Sequence, residues 1–266
     1  MKIAIIGTGN LGCSIAKGLI TTNAITTLYL TKRNLDDIKE YEGYKNVFLT
    51  TSNSEAIKNS DILIFAVQPA HMENILINIK PLLHENHVLI STITGFSIAK
   101  MESIIGEDKN LIRAMPNTAI AVGKSMTCLC SNQNGKSRIK LAESIFNRLG
   151  HSLSIPESQM QAATVICASG IAFWMRLIRA TTQAAIQLGF DAKEAQELAM
   201  YTSEGAANLL ITNGNHPEEE IDRVTTPKGC TIEGLNEMEH KGLSSSLIQG
   251  MIASFNKINT IKKEQI

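Results

Sequence analysis

The sequence has no surplus of charge of either sign: 25 Lys and Arg stand against 25 Asp and Glu in 266 residues. A general nucleic-acid binder draws its affinity from a basic surface that neutralises phosphates. No nucleic-acid partner is therefore expected, and any anionic ligand must be held by a local device. Aromatic residues are scarce at 5%, with a single Trp, yet 44% of the chain is apolar, too much for a disordered polymer. The five cysteines, Cys13, Cys128, Cys130, Cys167 and Cys230, are an odd number and include no Cys-x-x-Cys pair. They read as reduced thiols of a cytoplasmic protein. Cys128 and Cys130, with one residue between them on a predicted strand, are expected to face opposite sides of it.

Long uncharged runs are also lacking. Met1-Lys2-Ile3-Ala4-Ile5-Ile6-Gly7 is too short for a signal peptide. The stretch from Gln161 to Met175 stops at Arg176 and contains Thr164 and Ser169, too short and too polar for a span of ~20 residues. The expectation is a soluble, intracellular protein with no membrane partner. His84 and His87 stand three apart in a polar turn, and His216 precedes Pro217 as a helix start, so no metal site is expected.

What is present is an alternation. Ile3–Ile6, Thr27–Leu30, Val47–Leu49, Asp61–Val67, Val88–Thr92, Leu111–Met115 and Met126–Cys130 read as strands, separated by connections long enough for crossover helices. That rhythm predicts a parallel, doubly wound sheet. Ile62-Leu63-Ile64-Phe65-Ala66-Val67 is apolar throughout, as suits a strand buried on both faces. Gly150 is read as ending the helix before it. After Pro156 no strand signal remains. Ser158 to Leu188 has no Pro and only Gly170, which predicts one helix of ~30 residues, or ~45 Å, ended by Gly189. Asp191 with Glu194 three residues on is a capping-box pattern, and Pro217 fits the first position of a further helix. The fold class is α/β: a Rossmann-type doubly wound parallel sheet in residues 1–155, then an all-helical domain in residues 156–266. The long helix is apolar all round, which calls for burial by a second subunit.

Gly7-Thr8-Gly9-Asn10-Leu11-Gly12 follows the first strand and opens a helix. Gly7 makes the tight turn, Gly9 lets a pyrophosphate approach the backbone, Gly12 lets helix and strand pack, and the helix N-terminus points N–H groups at the phosphates. About 20 residues further on, an NAD site usually carries an acidic residue for the ribose. Here that place reads Thr31-Lys32-Arg33-Asn34, with no carboxylate and two cations suited to a 2′-phosphate. NADP(H) is the expected cofactor, with NAD(H) as the second option. Two more strands end in Pro at the carboxyl edge where ligands of such sheets bind: Ala66-Val67-Gln68-Pro69, and Met115-Pro116-Asn117. Ile6, Asn53, Thr92, Ile93 and Thr94 complete the expected cofactor-binding set.

These residues resemble the pyrroline-5-carboxylate reductase family over essentially the whole chain. The resemblance rests on the glycine motif, on Ala66-Val67-Gln68-Pro69, on Met115-Pro116-Asn117-Thr118 and on Ser169-Gly170-Ile171-Ala172-Phe173. It rests most specifically on Val224-Thr225-Thr226-Pro227-Lys228-Gly229-Cys230-Thr231-Ile232-Glu233-Gly234-Leu235, similar to the signature Val-Thr-Ser-Pro-Gly-Gly-x-Thr-x-x-Gly-Leu. The chain departs from the family pattern in having Lys228 for a Gly and Ala119 for a Pro. It also has Cys167-Ala168-Ser169-Gly170-Ile171-Ala172-Phe173 where Ser-Gly-Ser-Gly-Pro-Ala-Tyr is usual. The resemblance implies NAD(P)H-dependent reduction of a small cyclic imino acid to L-proline, by a homodimer or higher homo-oligomer built from the C-terminal helices.

Such a reaction needs an anchored carboxylate and a hydrogen-bond partner for the imine nitrogen. Gly229, Cys230, Thr231 and Ile232 would offer free N–H groups at a helix N-terminus. Thr231, the expected catalytic residue, has a hydroxyl that can cap its helix or meet the imine. Lys228, Gly229, Cys230 and Thr231 form the expected substrate-binding set. Glu233 and Glu237, one turn apart, read as a solvated face. Other readings remain: another imine or β-hydroxy-acid reductase of the same plan, or a slow NADP-binding regulatory protein. β-Hydroxy-acid enzymes of that plan use a lysine on the long helix, and Thr164 to Met175 has none.

Overall fold

The computed structural model describes residues 1–22 and 25–264, with side chains up to residue 258. It divides into two compact units: residues 1–169 together with the C-terminal segment from Phe255, and Gly170–Ser254.

The first unit is built on one sheet. Its strands are β1 (Lys2–Ile6), β2 (Thr27–Thr31), β3 (Val47–Thr50), β4 (Ile62–Phe65), β5 (Val88–Ser91), β6 (Asn110–Met115), β7 (Ser125–Ser131) and β8 (Gly150–Ser154). They lie in the order β3-β2-β1-β4-β5-β6-β7-β8. Helices α1 (Asn10–Thr21), α2 (Asn53–Lys58), α3 (Pro69–Ile79), α4 (Ile98–Ile105) and α5 (Ile139–Phe146) lie between strands in the chain. The central strands are buried on both faces. Ile3, Ile5, Ile62 and Ile64 join one apolar cluster, while Ala4, Ile6, Leu63 and Phe65 join a second. That alternation is the two-residue period of a strand applied to a continuous apolar run. Strand order reverses between β1 and β4, the switch point where such sheets bind ligands.

The parallel, doubly wound core is as expected, with two differences at one edge. β7 runs antiparallel to β6, because the link between them holds only a 3-10 turn, Thr118–Val122. A parallel return needs a crossover of a dozen or more residues. β8, which pairs parallel with β7, was not anticipated: Gly-His-Ser-Leu-Ser is a polar edge strand with no hydrophobic signature. Gly150 does not end a helix; α5 stops at Phe146, and Gly150 opens β8 with φ +143°. A Cβ there would collide with the Ser125 backbone. Cys128 and Cys130 are also corrected. Residues two apart on a strand share a face, and both pack into the second cluster.

In the helical part, α6 (Met160–Ala163), a π-helical turn at Thr164–Ser169 and α7 (Gly170–Gln187) form one helical run. It has the expected extent, but the backbone widens for one turn at its middle. Gly189 follows with φ +107°. α8 (Ala192–Asn213) is capped by Asp191, whose carboxylate accepts from the N–H groups of Lys193 and Glu194. α9 (Pro217–Val224) has Pro217 in its first turn and His216 as its cap, as expected. α10 (Cys230–His240) and α11 (Leu243–Glu264) complete the chain. Ala195 and Ala199 of α8 are buried, whereas Trp174 is 62%, Leu188 81% and Ile211 79% exposed. Within one chain, this unit leaves much apolar surface uncovered.

The helical run Glu157–Gln187 is long enough to cross a membrane and contains an 18-residue window with mean hydropathy 1.4, so it qualifies by length and composition only. The sequence reading stopped its count at Arg176, whereas the helix continues beyond it.

Candidate cofactor cleft and substrate loop

A cleft of about 570 Å³ lies at the carboxyl ends of β1, β2 and β4. Of the expected cofactor residues, Ile6, Gly7, Thr8, Gly9, Thr31, Lys32, Arg33, Asn53, Ala66, Val67 and Gln68 line it. Gly7 has φ +93°, and a Cβ there would collide with the Val67 side chain; a Cβ on Gly12 would meet the Gly7 carbonyl at 2.5 Å. Gly9 has open space where its Cβ would be.

The turn uses its own hydrogen bonds first. Gly7 N–H donates to Thr31 Oγ1 at 3.1 Å, Thr8 N–H to the Thr31 carbonyl at 2.9 Å, and Gly9 N–H to the Gly7 carbonyl at 3.0 Å. The free donors are therefore one step further on. α1 begins at Asn10 without a side-chain cap, and the N–H groups of Asn10, Leu11 and Gly12 have no partner among the described residues. The Thr8 hydroxyl, fully buried on the cleft wall, is likewise without a partner. A diphosphate fits this arrangement: three aligned N–H groups at the positive end of a helix, an orphaned hydroxyl, and a glycine that leaves the approach open.

The ribose turn is not free of carboxylates, as its four residues suggested. Asp37 lines the cleft, and its carboxylate lies 3.2 Å from Lys32 Nζ. Asn34 Nδ2 donates to the same carboxylate at 3.2 Å, which holds the pair in place. Arg33 is exposed and has no ion pair among the described residues. Asn34, the amide of the expected ribose turn, also lines the cleft; sequence reasoning missed Thr51, His71, Asn74, Ile75 and Asn78, the last four being presented by α3.

Asn10, Leu11 and Gly12, which open α1, are not among the lining residues, and neither are the other expected cofactor residues. Pro69 is the first residue of α3. Thr92, Ile93 and Thr94 follow β5, where Thr92 Oγ1 donates to the Phe65 carbonyl at 2.8 Å. Met115 ends β6, next in the sheet, and Pro116 and Asn117 follow it. Both ends of the Asn117 amide are occupied: Oδ1 accepts from Ala119 N–H at 3.0 Å, and Nδ2 donates to the Cys167 carbonyl at 3.0 Å. The Ala119 N–H, which a Pro would lack, makes the first of these bonds possible.

The substrate loop folds differently from expectation in two respects. Gly229 N–H is not free; it donates to the Thr226 carbonyl at 2.9 Å, and a Cβ on Gly229 would collide with the Thr226 hydroxyl. Gly229 is also the N-cap of α10, with no side-chain cap bond, so Thr231 lies inside the first turn and does not cap it. The N–H groups of Cys230, Thr231 and Ile232 are the ones without a partner among the described residues. Lys228 has φ +58°, the one left-handed non-glycine among the described residues. Its side chain is exposed.

Residues 157–261 match the family model for pyrroline-5-carboxylate reductase dimerisation, and residues 2–95 match that for NADP oxidoreductase coenzyme F420-dependent. Pyrroline-5-carboxylate reductase 1 of Dictyostelium discoideum is 44% identical over 96% of this chain, which spans about half of that relative's length, 49%. Pyrroline-5-carboxylate reductase 2 of the same organism is 39% identical, covering 96% of this chain and 91% of the relative. Among solved structures, the pyrroline carboxylate reductase of Plasmodium falciparum with NADP bound has a TM-score of 0.87 at 26% identity, covering 98% of each chain. A pyrroline-5-carboxylate reductase from Coxiella burnetii has a TM-score of 0.90 at 28% identity, covering 97% of each. With the glycine turn, the cleft and the loop at residues 224–235 all in place, the chain belongs to the pyrroline-5-carboxylate reductase family.

Proposed function

We propose that this protein reduces 1-pyrroline-5-carboxylate to L-proline with NADPH. The observation that carries the reading is the start of α1, where the N–H groups of Asn10, Leu11 and Gly12 are unused among the described residues, directly after Thr8 and Gly9, which line the cleft. These groups hold the diphosphate, and Arg33 holds the 2′-phosphate. NADH is the second cofactor, because the same N–H groups serve either diphosphate. When bound, the nicotinamide supplies the hydride that reduces the imine carbon.

On the substrate side, Cys230, Thr231 and Ile232 N–H groups at the start of α10 receive the carboxylate, favoured by the positive end of the helix. Lys228 adds a cation to that anchor. The Thr231 hydroxyl, which does not cap α10 and has no hydrogen-bond partner among the described residues, is the catalytic contact to the imine nitrogen. A cyclic imine can enter already protonated by solvent, so no dedicated acid is required. Residues 1–155 serve as the cofactor domain and residues 156–266 as the substrate and dimerisation domain. A homodimer, or a higher homo-oligomer, built from the C-terminal helices covers their exposed apolar surface. We place the protein in the cytoplasm, where its thiols stay reduced, with no nucleic-acid or membrane partner. NADPH oxidation with racemic pyrroline-5-carboxylate tests the reading: turnover is expected, and micromolar NADPH binding without turnover would refute it.

A further inference from the structure

Two cysteines that the reductase chemistry does not use lie in contact. Cys128 on β7 and Cys167 on the π-helical turn, 39 residues apart in sequence, are separated by 3.8 Å from Sγ to Sγ. The pair is not part of a metal site: among the described residues no group of three His, Cys, Asp or Glu is placed to hold an ion. Cys128 is buried, and Cys167 is partly open to solvent.

We propose that Cys128 and Cys167 form a reversible oxidation site that a hydroperoxide converts to a disulfide. The Cys167 thiolate attacks the hydroperoxide, the O–O bond breaks, and the alcohol or water leaves with a proton. Cys167 is left as a sulfenic acid, two electrons poorer. The Cys128 sulfur then attacks the Cys167 sulfur, the S–O bond breaks, and water leaves with the Cys128 proton. A dithiol returns the two electrons and restores both thiols.

The environment sorts the roles. The contact with the Cys128 thiol, which can donate to the Cys167 sulfur, brings Cys167 down to about 7 and so favours its thiolate. That same contact, with burial second, pushes Cys128 up, which keeps its proton until the second step. Burial pushes Cys13 upward and Cys130 up to about 11, which leaves both inert. Closing the bond requires the sulfurs to approach by about 1.8 Å, to the ~2.05 Å of a disulfide. A π-turn is a local excess of backbone in a helix, the kind of segment that can shift by this amount. The shift also pulls on Asn117, which is tied to the Cys167 carbonyl.

The test uses the full-length protein with stoichiometric hydrogen peroxide, denaturing alkylation and peptide mapping. The expected product joins the peptides containing Cys128 and Cys167, lighter by two hydrogens and separated again by dithiothreitol. In Cys128→Ser the same treatment should leave a sulfenic acid on Cys167 that dimedone traps. In Cys167→Ser no cross-link should form and Cys128 should stay reduced. Both cysteines fully alkylated in the oxidised wild type, or disulfides that form through Cys230 instead, would overturn the proposal.

Discussion

The Lys32 ammonium lies 3.2 Å from the Asp37 carboxylate, so one of the two cations in the ribose turn is neutralised by its own neighbour. Arg33 is then the cation available to a 2′-phosphate. A charge-assisted hydrogen bond contributes roughly 1.5–3 kcal/mol, or about tenfold and more in affinity. Arg33→Ala should weaken NADPH binding by at least that factor and leave NADH nearly unchanged in calorimetry. Lys32→Ala should also weaken NADPH more than NADH, because its partner Asp37 is left as a free negative charge in the cleft that repels a 2′-phosphate. Equal losses for both cofactors would refute the 2′-phosphate role.

Thr231→Val removes a hydroxyl and keeps the shape. An unmet hydrogen bond costs ~1–3 kcal/mol, so kcat/KM should fall about 5- to 150-fold while NADPH affinity holds. Because Gly229 is the cap of α10, the melting temperature of the apo protein should not move. A drop in melting temperature with unchanged kcat/KM would return Thr231 to a purely structural role.

Lys228 occupies φ +58°, a region that costs a side-chain-bearing residue roughly 1–2 kcal/mol. Lys228→Gly should therefore raise the melting temperature. If the ammonium also anchors the substrate carboxylate, the same variant should raise KM for the imino acid. Stabilisation with KM unchanged or lower would remove Lys228 from the substrate anchor and leave only the strain.

His87 connects stability to pH. Its Nε2 faces the Ser60 carbonyl at 3.1 Å, and Nδ1 accepts from His84 N–H at 3.1 Å, which assigns the neutral Nε2–H tautomer. Burial lowers its pKa, and the stacked His84 lowers it further. With the folded value below the unfolded ~6.5, the unfolded chain takes up the proton first as pH falls. The stabilisation is full above about 6.5 and is lost as pH drops toward the folded value. Denaturant titrations should show this slope in the wild type and a smaller one in His87→Gln; identical slopes would show that His87 does not contribute.

The glycine turn and the apolar run Ile62–Val67 were legible because local steric demand and the two-residue period write themselves into the chain. β8 was not legible, since an exposed edge strand needs no apolar signature. The direction of β7 depended on the length of one link, not on the strand's own residues. The cofactor site was read well where it follows β1, β2 and β4. Its other wall was missed because His71, Asn74 and Asn78 sit on a helix whose facing only the tertiary fold decides. Asp37 was missed for the same reason, lying one turn beyond the four residues that were weighed. Gly229, not Thr231, is the cap because α10 starts at Cys230, and position 229 has no room for a Cβ beside Thr226. The Cys128–Cys167 contact spans two elements far apart in the chain and leaves no local trace at all.

The central claim, hydride delivery from NADPH to the imine carbon, is tested most directly with NADPH deuterated at the transferring position. After incubation with racemic pyrroline-5-carboxylate, mass spectrometry should find L-proline with one deuterium on the ring carbon that was the imine carbon, in step with NADPH consumed. NADPH bound or oxidised with no deuterium in proline would contradict the account.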